Sequence, residues 1–266
     1  MFQSQRNKYI PNFQKVKSFL KNLSHFFTKN KKTVIIEKIL CERRGAVKIL
    51  FEDAYLIVCV KPRGVLSQSD DNGRESMVSL LGGVYPVHRL DRETEGVMVF
   101  AKTKDAAAAM SRLVQSHEDF KKEYLAVLEG KPEKPSDRLC DLLFHDISKN
   151  KTYVVRKERR GVKKAELSYE VCSTLETSVG KTLTLVRVRL YTGRTHQIRA
   201  QFASRGLSLV GDRKYGGSAD AGGLALFACG LSFCHPITKK DLSFVALPEE
   251  EGAFGLFDLH KEEPLC

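Results

Sequence analysis

Residues 86–100, PVHRLDRETEGVMVF, place a group of charged and ionisable side chains directly before a segment that alternates like a β-strand. The group comprises His88, Arg89, Asp91, Arg92, Glu93 and Glu95. A surface turn carries such side chains without cost, whereas a cleft carries them only if they pair or take part in chemistry. The stretch is therefore a candidate functional loop at the start of a core strand.

The sequence on either side of this loop contains more strands than helices. Strand-like patterns cover residues 47–64 (two strands), 96–103, 122–130, 163–177, 181–191, 226–236 and 242–248. Helical spacing is found over 103–120, with Thr103 as the candidate N-cap, and over 194–206, which Gly206 closes. Strands that follow strands, with few helices between them, favour the α+β class over a doubly wound sheet.

The positive charge of the chain is concentrated at its beginning. The 266 residues carry a net charge of +12, and residues 1–36 hold eight Lys or Arg and no Asp or Glu. This excess favours a polyanionic partner, with RNA or DNA as the first candidates. We expect residues 1–46 to form a basic N-terminal arm that is partly helical or loosely ordered, and residues 47–266 to form the globular domain.

Within this arm, apolar residues recur at helical spacing, at Phe13, Val16, Leu20, Leu23 and Phe27. A basic amphipathic helix fits four interpretations: an RNA-binding arm, a membrane-surface anchor, a transit peptide, or a helix docked on the domain. No apolar run reaches the ~18–20 residues that a membrane span needs. We therefore expect no membrane-spanning segment.

The seven cysteines are an odd number and form no Cys-x-x-Cys pair. This usage predicts reduced thiols in a cytoplasmic protein. Cys229 and Cys234 lie near His235, but residues 226–236 are interpreted as a strand, a turn and a strand, and their spacing matches no zinc template. We therefore expect no metal site.

A second basic segment, residues 149–164, carries eight Lys or Arg and a single acidic residue, Glu158. The segment is either a solvated hairpin tip around Gly161 or a surface that contacts the phosphate backbone of a nucleic acid. The density of positive charge favours phosphate contact. The arginines that we expect to make this contact are Arg156, Arg159 and Arg160.

Several motifs of this chain resemble those of the RluA family of pseudouridine synthases. HRLDRETEG at 88–96 resembles the family's His-Arg-Leu-Asp-x-x-Thr-Ser-Gly motif, and KPRGVLSQ at 61–68 resembles its Lys-Pro-x-Gly loop. KKEYLAVLEG at 121–130 resembles its tyrosine strand. YTGRTHQIR and GDRKYGG, within 191–217, resemble its C-terminal motifs. The motifs occur in the family's order and cover roughly residues 48–250.

The resemblance implies a large mixed sheet, mostly antiparallel, with flanking helices and a central basic cleft. It implies isomerisation of specific uridines to pseudouridine in structured RNA. It also implies that the reaction needs no cofactor and no metal. We expect a monomer, and we favour ribosomal RNA over transfer RNA as the substrate. Residues 47–266 are then the catalytic domain.

The resemblance also assigns roles to individual residues. Asp91 matches the family's catalytic aspartate, Tyr124 matches the tyrosine that packs on the base and is thought to help remove the carbon-5 proton, and Arg199 matches the basic residue that pairs with the aspartate. Arg89 matches an arginine that helps to open the RNA. The other candidates for substrate binding are His88, Arg194 and His196, together with Arg156, Arg159 and Arg160.

These roles agree with elementary chemistry. A guanidinium holds a desolvated carboxylate ionised and aims it, and an aromatic ring offers a stacking face for a base. The base must leave its helix to react. Whether Asp91 attacks the ribose or the base stays open.

The competing hypothesis is a non-catalytic RNA-binding protein on the same fold, and the intact set of Asp91, Tyr124 and Arg199 argues against it. A basic membrane-surface protein would leave the motifs unexplained.

The chain departs from the family's motif at Glu95, where the family usually has Ser. A carboxylate at this position could alter the contacts of the loop with RNA. The arm is too short and wrongly composed to be the separate RNA-binding domain that some members carry. Target choice is then expected to rest on the arm, the 149–164 segment and the cleft.

Overall fold

The computed structural model describes residues 34–35, 43–44, 47–116, 119–218 and 223–259, with the backbone alone at the first two pairs. The helix predicted in the N-terminal arm lies outside the described residues. Within the described part of the chain, no helix is both long and apolar enough to cross a membrane. The five cysteines in that part form no disulfide.

The strands of the described residues form one sheet. They are β1 (Val34–Ile35), β2 (Arg43–Arg44), β3 (Val47–Glu52), β4 (Leu56–Lys61), β5 (Tyr85–Pro86), β6 (Glu95–Ala101), β7 (Phe120–Glu129), β8 (Ser136–Asp146), β9 (Lys151–Val155), β10 (Val162–Glu176), β11 (Thr182–Leu190), β12 (Leu226–Cys234) and β13 (Asp241–Val245). The helices are α1 (Met77–Leu81), α2 (Lys104–Ser116) and α3 (Gln197–Ala203), with a 3₁₀ turn at Phe254–Leu256.

The main path of the sheet is β2-β3-β4-β6-β12-β7-β11-β10-β8-β9. In addition, β13 pairs with β12 and β1, and β5 pairs with β6. The β6–β12 and β1–β13 pairs are parallel, and the other strand pairs are antiparallel. The α+β class and the mixed, mostly antiparallel sheet are confirmed.

The parallel pairing of β6 with β12 brings together two segments that are distant in the sequence. Ala228 pairs with Gly96 on one side and with Tyr124 on the other. Gly96 has a φ of 127°, and a Cβ there would lie 2.3 Å from the carbonyl oxygen of Ala228, so only glycine fits. The close approach places the loop that contains Asp91 near the strand that carries Tyr124.

Each face of the sheet buries its own core, because successive side chains of a strand point to opposite faces. One core contains Tyr124 and is covered by α1 and α3, which contribute Met77 and Phe202. The other core is covered by α2 and the C-terminal segment, which contribute Met110 and Phe254. The candidate site therefore lies on the face that α3 covers.

Two of the described helices, α2 and α3, match predicted segments, whereas α1 was not predicted; α2 also ends at Ser116 instead of residue 120, because Phe120 begins β7. Thr103 caps α2, since its Oγ1 accepts a hydrogen bond from the amide of Ala106 at 3.2 Å. Gly206, with a φ of 73°, follows the end of α3 as expected. However, α3 begins at Gln197 instead of Arg194, because the residue before it adopts a left-handed conformation.

The prediction of a strand, a turn and a strand over 226–236 is wrong. The structure has one continuous strand, β12, which pairs with β7 along its length, with β6 at Phe227 and Ala228, and with β13 in its second half. Gly230, interpreted as a turn residue, lies at a register shift against β7. A glycine at a bulge and a glycine in a turn have the same local sequence pattern, and only long-range pairing distinguishes them.

The 149–164 segment spans the edge of the sheet. β9 is the edge strand, and both β9 and β10 pair with β8, so residues 156–161 cross from one side of β8 to the other. They are not the tip of a hairpin between paired strands. Arg156, Arg159 and Arg160 are exposed on this crossing.

Candidate active site

Asp91 lies in the loop between β5 and β6, and residues 61–67 hold the backbone of this loop. Ser67 Oγ accepts a hydrogen bond from the amide of Leu90 at 3.0 Å and donates one to the Leu90 carbonyl at 2.7 Å. The amide of Thr94 donates to the carbonyl of Asp91 at 3.0 Å and closes a turn. The Asp91 side chain therefore extends from a fixed backbone.

Lys61 is completely buried and supports the same loop. Its ammonium donates to the carbonyls of Pro62, Val65 and Arg92 at 2.8, 2.8 and 3.0 Å. Three acceptors match the three donors of a lysine ammonium. The amide of Gly64 donates to the Arg92 carbonyl at 2.9 Å. The Lys-Pro-x-Gly segment thus holds the backbone of the loop that contains Asp91.

Arg199, in the first turn of α3, is shared between two carboxylates. Its Nε and Nη2 donate to Oδ2 and Oδ1 of Asp212 at 2.7 and 2.8 Å. Its Nη1 donates to Oδ2 of Asp91 at 3.3 Å. Arg199 is 6% exposed and Asp212 is 1% exposed. The bidentate pair with Asp212 fixes the guanidinium, and the remaining donor reaches Asp91.

The electrostatics of Arg199 keep it charged. Burial acts to lower the pKa of Arg199, but the hydrogen bonds and charge of Asp212, and then the charge of Asp91, raise that pKa above its usual value. One permanent cation therefore serves two carboxylates. Asp91 is the more loosely bound of the two, which leaves its oxygens available to a ligand.

Tyr124 lies on β7 between Val188 of β11 and Ala228 of β12 and lines the same cavity as Asp91. It is 6% exposed. Burial, followed by the negative charge of Asp91, raises the pKa of its phenol well above the usual value. Tyr124 therefore presents a neutral aromatic ring to the cavity near neutral pH.

His196 precedes α3 in the left-handed region, with φ 52° and ψ 27°, which is uncommon for residues other than glycine. Its Nδ1 lies 3.0 Å from the Tyr215 hydroxyl, and its Nε2 lies 3.7 Å from Oδ2 of Asp91. The amide of Thr152 donates to the Tyr215 hydroxyl at 2.7 Å, so that hydroxyl can donate to Nδ1. The proton of the neutral ring then faces Asp91.

The protonation of His196 predicts a pH dependence of folding stability. Burial lowers the pKa of His196 to about 4, against the attraction of Asp91. Below pH 6.5 the unfolded chain takes up a proton that the folded protein does not, so stability falls with pH down to about 4. We expect His196 alone to cost about 2 kcal/mol between pH 7 and pH 5. Urea unfolding of wild type and His196→Gln at both pH values checks this, and equal losses in the two proteins would contradict it.

A cavity of about 480 Å³ collects most of the residues that the sequence indicated. The residues shared by the prediction and the cavity lining are His88, Arg89, Asp91, Tyr124, Arg194, His196 and Arg199. Arg156, Arg159 and Arg160 do not line it and lie on the exposed crossing loop. Arg194 links the two regions, because its Nε donates to the carbonyl of Lys164 at 3.0 Å.

Glu95 does not line this cavity. It lies at the start of β6 and lines a separate pocket of about 180 Å³ with Arg63, Glu249 and Glu251. Burial raises the pKa of Glu95, with Arg63 acting in the opposite direction and Glu249 adding to the rise. Glu95, which replaces the family's Ser, therefore faces this separate pocket and does not belong to the group of side chains around Asp91.

The sequence analysis missed four residues of this region: Lys61, Lys122, Asp212 and Tyr215. Lys61, Asp212 and Tyr215 lie in motifs that were recognised, so a search of those motifs for partners of Arg199 and His196 could have found two of them. Lys122 resembles an ordinary strand residue in sequence, and no local signal marks it. Among the described residues, no group of three His, Cys, Asp or Glu side chains is placed to hold a metal ion.

Comparison with known proteins gives consistent matches. The family model described as RNA pseudouridylate synthase matches residues 55–204. The ribosomal large subunit pseudouridine synthase D of Zymomonas mobilis is 33% identical over 230 residues, which cover 77% of this chain and 70% of the relative. The dual-specificity RNA pseudouridine synthase RluA of Escherichia coli is 34% identical over 208 residues, which cover 74% of this chain and 91% of the relative.

Two solved human structures resemble this fold. RNA Pseudouridylate Synthase Domain Containing 1 aligns with a TM-score of 0.65 at 19% identity, over 81% of this chain and 89% of that one. RNA Pseudouridylate Synthase Domain Containing 4 aligns with a TM-score of 0.59 at 24% identity, over 76% of this chain and 88% of that one. At these identities the likeness concerns the fold alone.

Proposed function

The chain belongs to the RNA pseudouridylate synthase family, and we propose that it isomerises specific uridines to pseudouridine in structured ribosomal RNA. Isomerisation of uridine in RNA is the activity of the family. The ribosomal target and the roles of individual residues are the proposal: the names of relatives support the target, and the geometry of the cavity supports the roles.

One arrangement carries the proposal: Asp91 faces a cavity of about 480 Å³ beside the ring of Tyr124 and receives a hydrogen bond from Arg199. A pocket of this size accepts a nucleotide-sized ligand. The target base must leave its stack to enter such a cavity. The buried ring of Tyr124 then offers a stacking face for the base.

The reaction needs no co-reactant. The bond between uracil N1 and ribose C1′ breaks, and a bond between uracil C5 and C1′ forms. The proton of C5 is lost to solvent and N1 gains one, so uridine and pseudouridine have the same composition. The protein must therefore supply a nucleophile or charge stabilisation, together with control of the base, and Asp91 is the carboxylate placed for the first task.

The neighbours of Asp91 support this assignment. Arg199 opposes protonation of Asp91 in the cavity and aims its carboxylate. Burial and the charge of Asp91 raise the pKa of the Tyr124 phenol, so we assign Tyr124 a stacking role as a neutral ring. Arg89 lines the cavity and is exposed, which suits an arginine that helps to open the RNA.

The choice of ribosomal RNA rests on relatives. Proteins named ribosomal large subunit pseudouridine synthase D occur in Zymomonas mobilis and Nitrosomonas europaea, at 33% and 34% identity. The Escherichia coli relative is named a dual-specificity enzyme, so transfer RNA is the alternative substrate. We further expect a cytoplasmic monomer, which light scattering of the purified protein and cell fractionation would check.

Pseudouridine mapping at nucleotide resolution tests the substrate. Ribosomal and transfer RNA from cells with and without this protein would be compared, with purified protein added back to the deficient RNA. We expect one or a few ribosomal positions to lose pseudouridine and to regain it on addition. Sites confined to transfer RNA would overturn the ribosomal assignment, and no changed site in either RNA would favour a non-catalytic RNA-binding protein.

The 149–164 segment predicts a measurable salt dependence of RNA binding. If Arg156, Arg159 and Arg160 contact phosphates, their replacement by Ala removes up to three contacts, each worth about 0.7–0.9 in the slope of log affinity against log salt. We expect the slope to flatten by roughly two or more. Turnover on saturating RNA should be kept, because these side chains lie outside the cavity.

A matched control removes three exposed lysines elsewhere, at Lys131, Lys181 and Lys240. The control changes the net charge of the chain equally and should leave most of the slope intact. If both triple variants flatten the slope to the same extent, the effect reflects overall charge, and the 149–164 segment is only a solvated loop.

A further inference from the structure

Lys122 is a buried cation that the proposed roles leave unused. It lies on β7 two residues before Tyr124, so the two side chains leave the same face of the strand about 7 Å apart. Lys122 is 8% exposed and lines the 480 Å³ cavity. Among the described residues its ammonium has no carboxylate partner and no hydrogen-bond acceptor.

The backbone leaves room for this ammonium at Gly193, on the loop after β11. A Cβ at position 193 would lie 3.0 Å from Nζ of Lys122, closer than side chains normally approach. Gly193 also lines the cavity, as does Arg194 beside it. The ammonium thus lies close against a glycine, next to a second cation.

His88, which also lines the cavity, has a buried donor without an acceptor. Nε2 of His88 accepts a hydrogen bond from the amide of Val99 at 3.1 Å, so the proton of the neutral ring is on Nδ1. That buried Nδ1 has no partner among the described residues. Burial, and then the charge of Lys122, lower the pKa of His88 to about 3, which keeps the ring neutral. His88 and Lys122 both line the 480 Å³ cavity.

An ammonium in this position stays mostly charged. Burial, and then the charge of Arg194, lower the pKa of Lys122 to about 8, which leaves it protonated at neutral pH. A largely buried charge that no carboxylate offsets is unfavourable, and a nearby like charge makes it more so. A ligand that carries a negative charge offsets both the burial of the ammonium and its repulsion by Arg194. A neutral carbonyl of uracil would accept a hydrogen bond but would not offset two cations.

We propose that Lys122, together with Arg194, binds one phosphodiester group of the RNA strand that enters the cavity. This inference rests on the proposed function, since it takes RNA as the ligand. Lys122 is a substrate-binding residue in this account. It secures the strand while Asp91 and Tyr124 act on the flipped nucleotide.

The first test measures RNA binding by Lys122→Met as a function of salt. Loss of one phosphate contact should lower the slope of log affinity against log salt by about 0.7–0.9, with roughly tenfold weaker binding at low salt. Turnover at saturating RNA should change little, so KM should rise with kcat largely kept. Binding is measured without turnover, so this result stands or fails separately from the catalytic proposal.

Lys121→Met is the matched control. Lys121 is the neighbouring residue on β7, so it points to the opposite face of the sheet, and its loss changes the net charge equally. Its salt slope should match that of wild type. Methionine is close to lysine in length, and it removes a buried charge at position 122, so the melting temperature of Lys122→Met should be unchanged or higher.

A second test locates the phosphate. Single uncharged methylphosphonate linkages would be placed in turn around the target uridine of an RNA substrate. Wild type and Lys121→Met should lose more affinity at one linkage than Lys122→Met loses there, because that variant keeps only the Arg194 half of the contact. An unchanged slope with a large loss of kcat would overturn the proposal in favour of a contact with the base. An unchanged slope with unchanged kinetics would show that Lys122 is only structural.

Discussion

Replacement of Asp91 by Asn is expected to abolish isomerisation and to leave RNA binding nearly intact. Asn keeps the size and the acceptor oxygen that faces Arg199, but it removes the charge and the nucleophilicity of the carboxylate. We expect turnover to fall by at least about 10⁴-fold, because the group that reacts is lost and no neighbour replaces it. Single-turnover assays with saturating enzyme, together with a binding measurement, separate these two effects.

Asp105→Asn is the control for this change. Asp105 is exposed in the first turn of α2 and undergoes the same chemical change away from the cavity. It should keep wild-type turnover. Measurable isomerisation by the Asp91→Asn protein, above that of a sample without enzyme, would remove Asp91 from the catalytic role.

Replacement of Arg199 is expected to damage both folding and activity, and the two losses can be separated. Arg199→Met leaves the carboxylate of Asp212 without a counter-charge, and Asp212 is almost completely buried. Breaking a buried ion pair on one side costs about 3–5 kcal/mol. Activity should fall by orders of magnitude as well, because Asp91 loses the same guanidinium.

Adding Asp212→Asn to Arg199→Met is expected to restore stability but not activity. In Arg199→Met with Asp212→Asn, no uncompensated charge remains at position 212, and the amide oxygen can still accept from the Tyr215 amide, as Oδ1 of Asp212 does at 3.3 Å. Urea unfolding should show most of the stability recovered, whereas isomerisation should stay low. Recovery of activity together with stability would show that Arg199 serves the fold alone and does not act through Asp91.

The fold was predictable from local patterns where those patterns determine one outcome. The turn at Asp53, the cap at Thr103 and the strand around Tyr124 each follow from a few neighbouring residues. The continuous strand β12 does not, since a glycine in the middle of an apolar run fits either a turn or a bulge. Its pairing partners come from segments about 100 and 130 residues earlier in the chain.

The candidate site was likewise predictable from the sequence only in part. Asp91, Tyr124 and Arg199 were found because each lies in a recognisable motif. Asp212 as the main partner of Arg199 was missed, because the sequence analysis matched Arg199 with Asp91 alone. The structure shows that Asp212 holds two donors of the guanidinium and Asp91 one.

Lys122 could not be identified from sequence for a different reason. A lysine on a strand usually reaches solvent, and burial depends on what covers it. Here Gly193, on the loop after β11, lies close against the ammonium of Lys122. The exposure of this side chain is thus set by a segment about 70 residues later in the chain.

The central claim is that Asp91 lets this protein convert uridine to pseudouridine in RNA without a cofactor. Its most direct test incubates the purified wild-type protein with ribosomal RNA from cells that lack it, in the presence of a metal chelator, and then analyses the nucleosides by mass spectrometry. We predict that pseudouridine appears mole for mole with the loss of uridine, and that Asp91→Asn produces none. Binding of ribosomal and transfer RNA by the wild-type protein with no pseudouridine formed in either would contradict the claim.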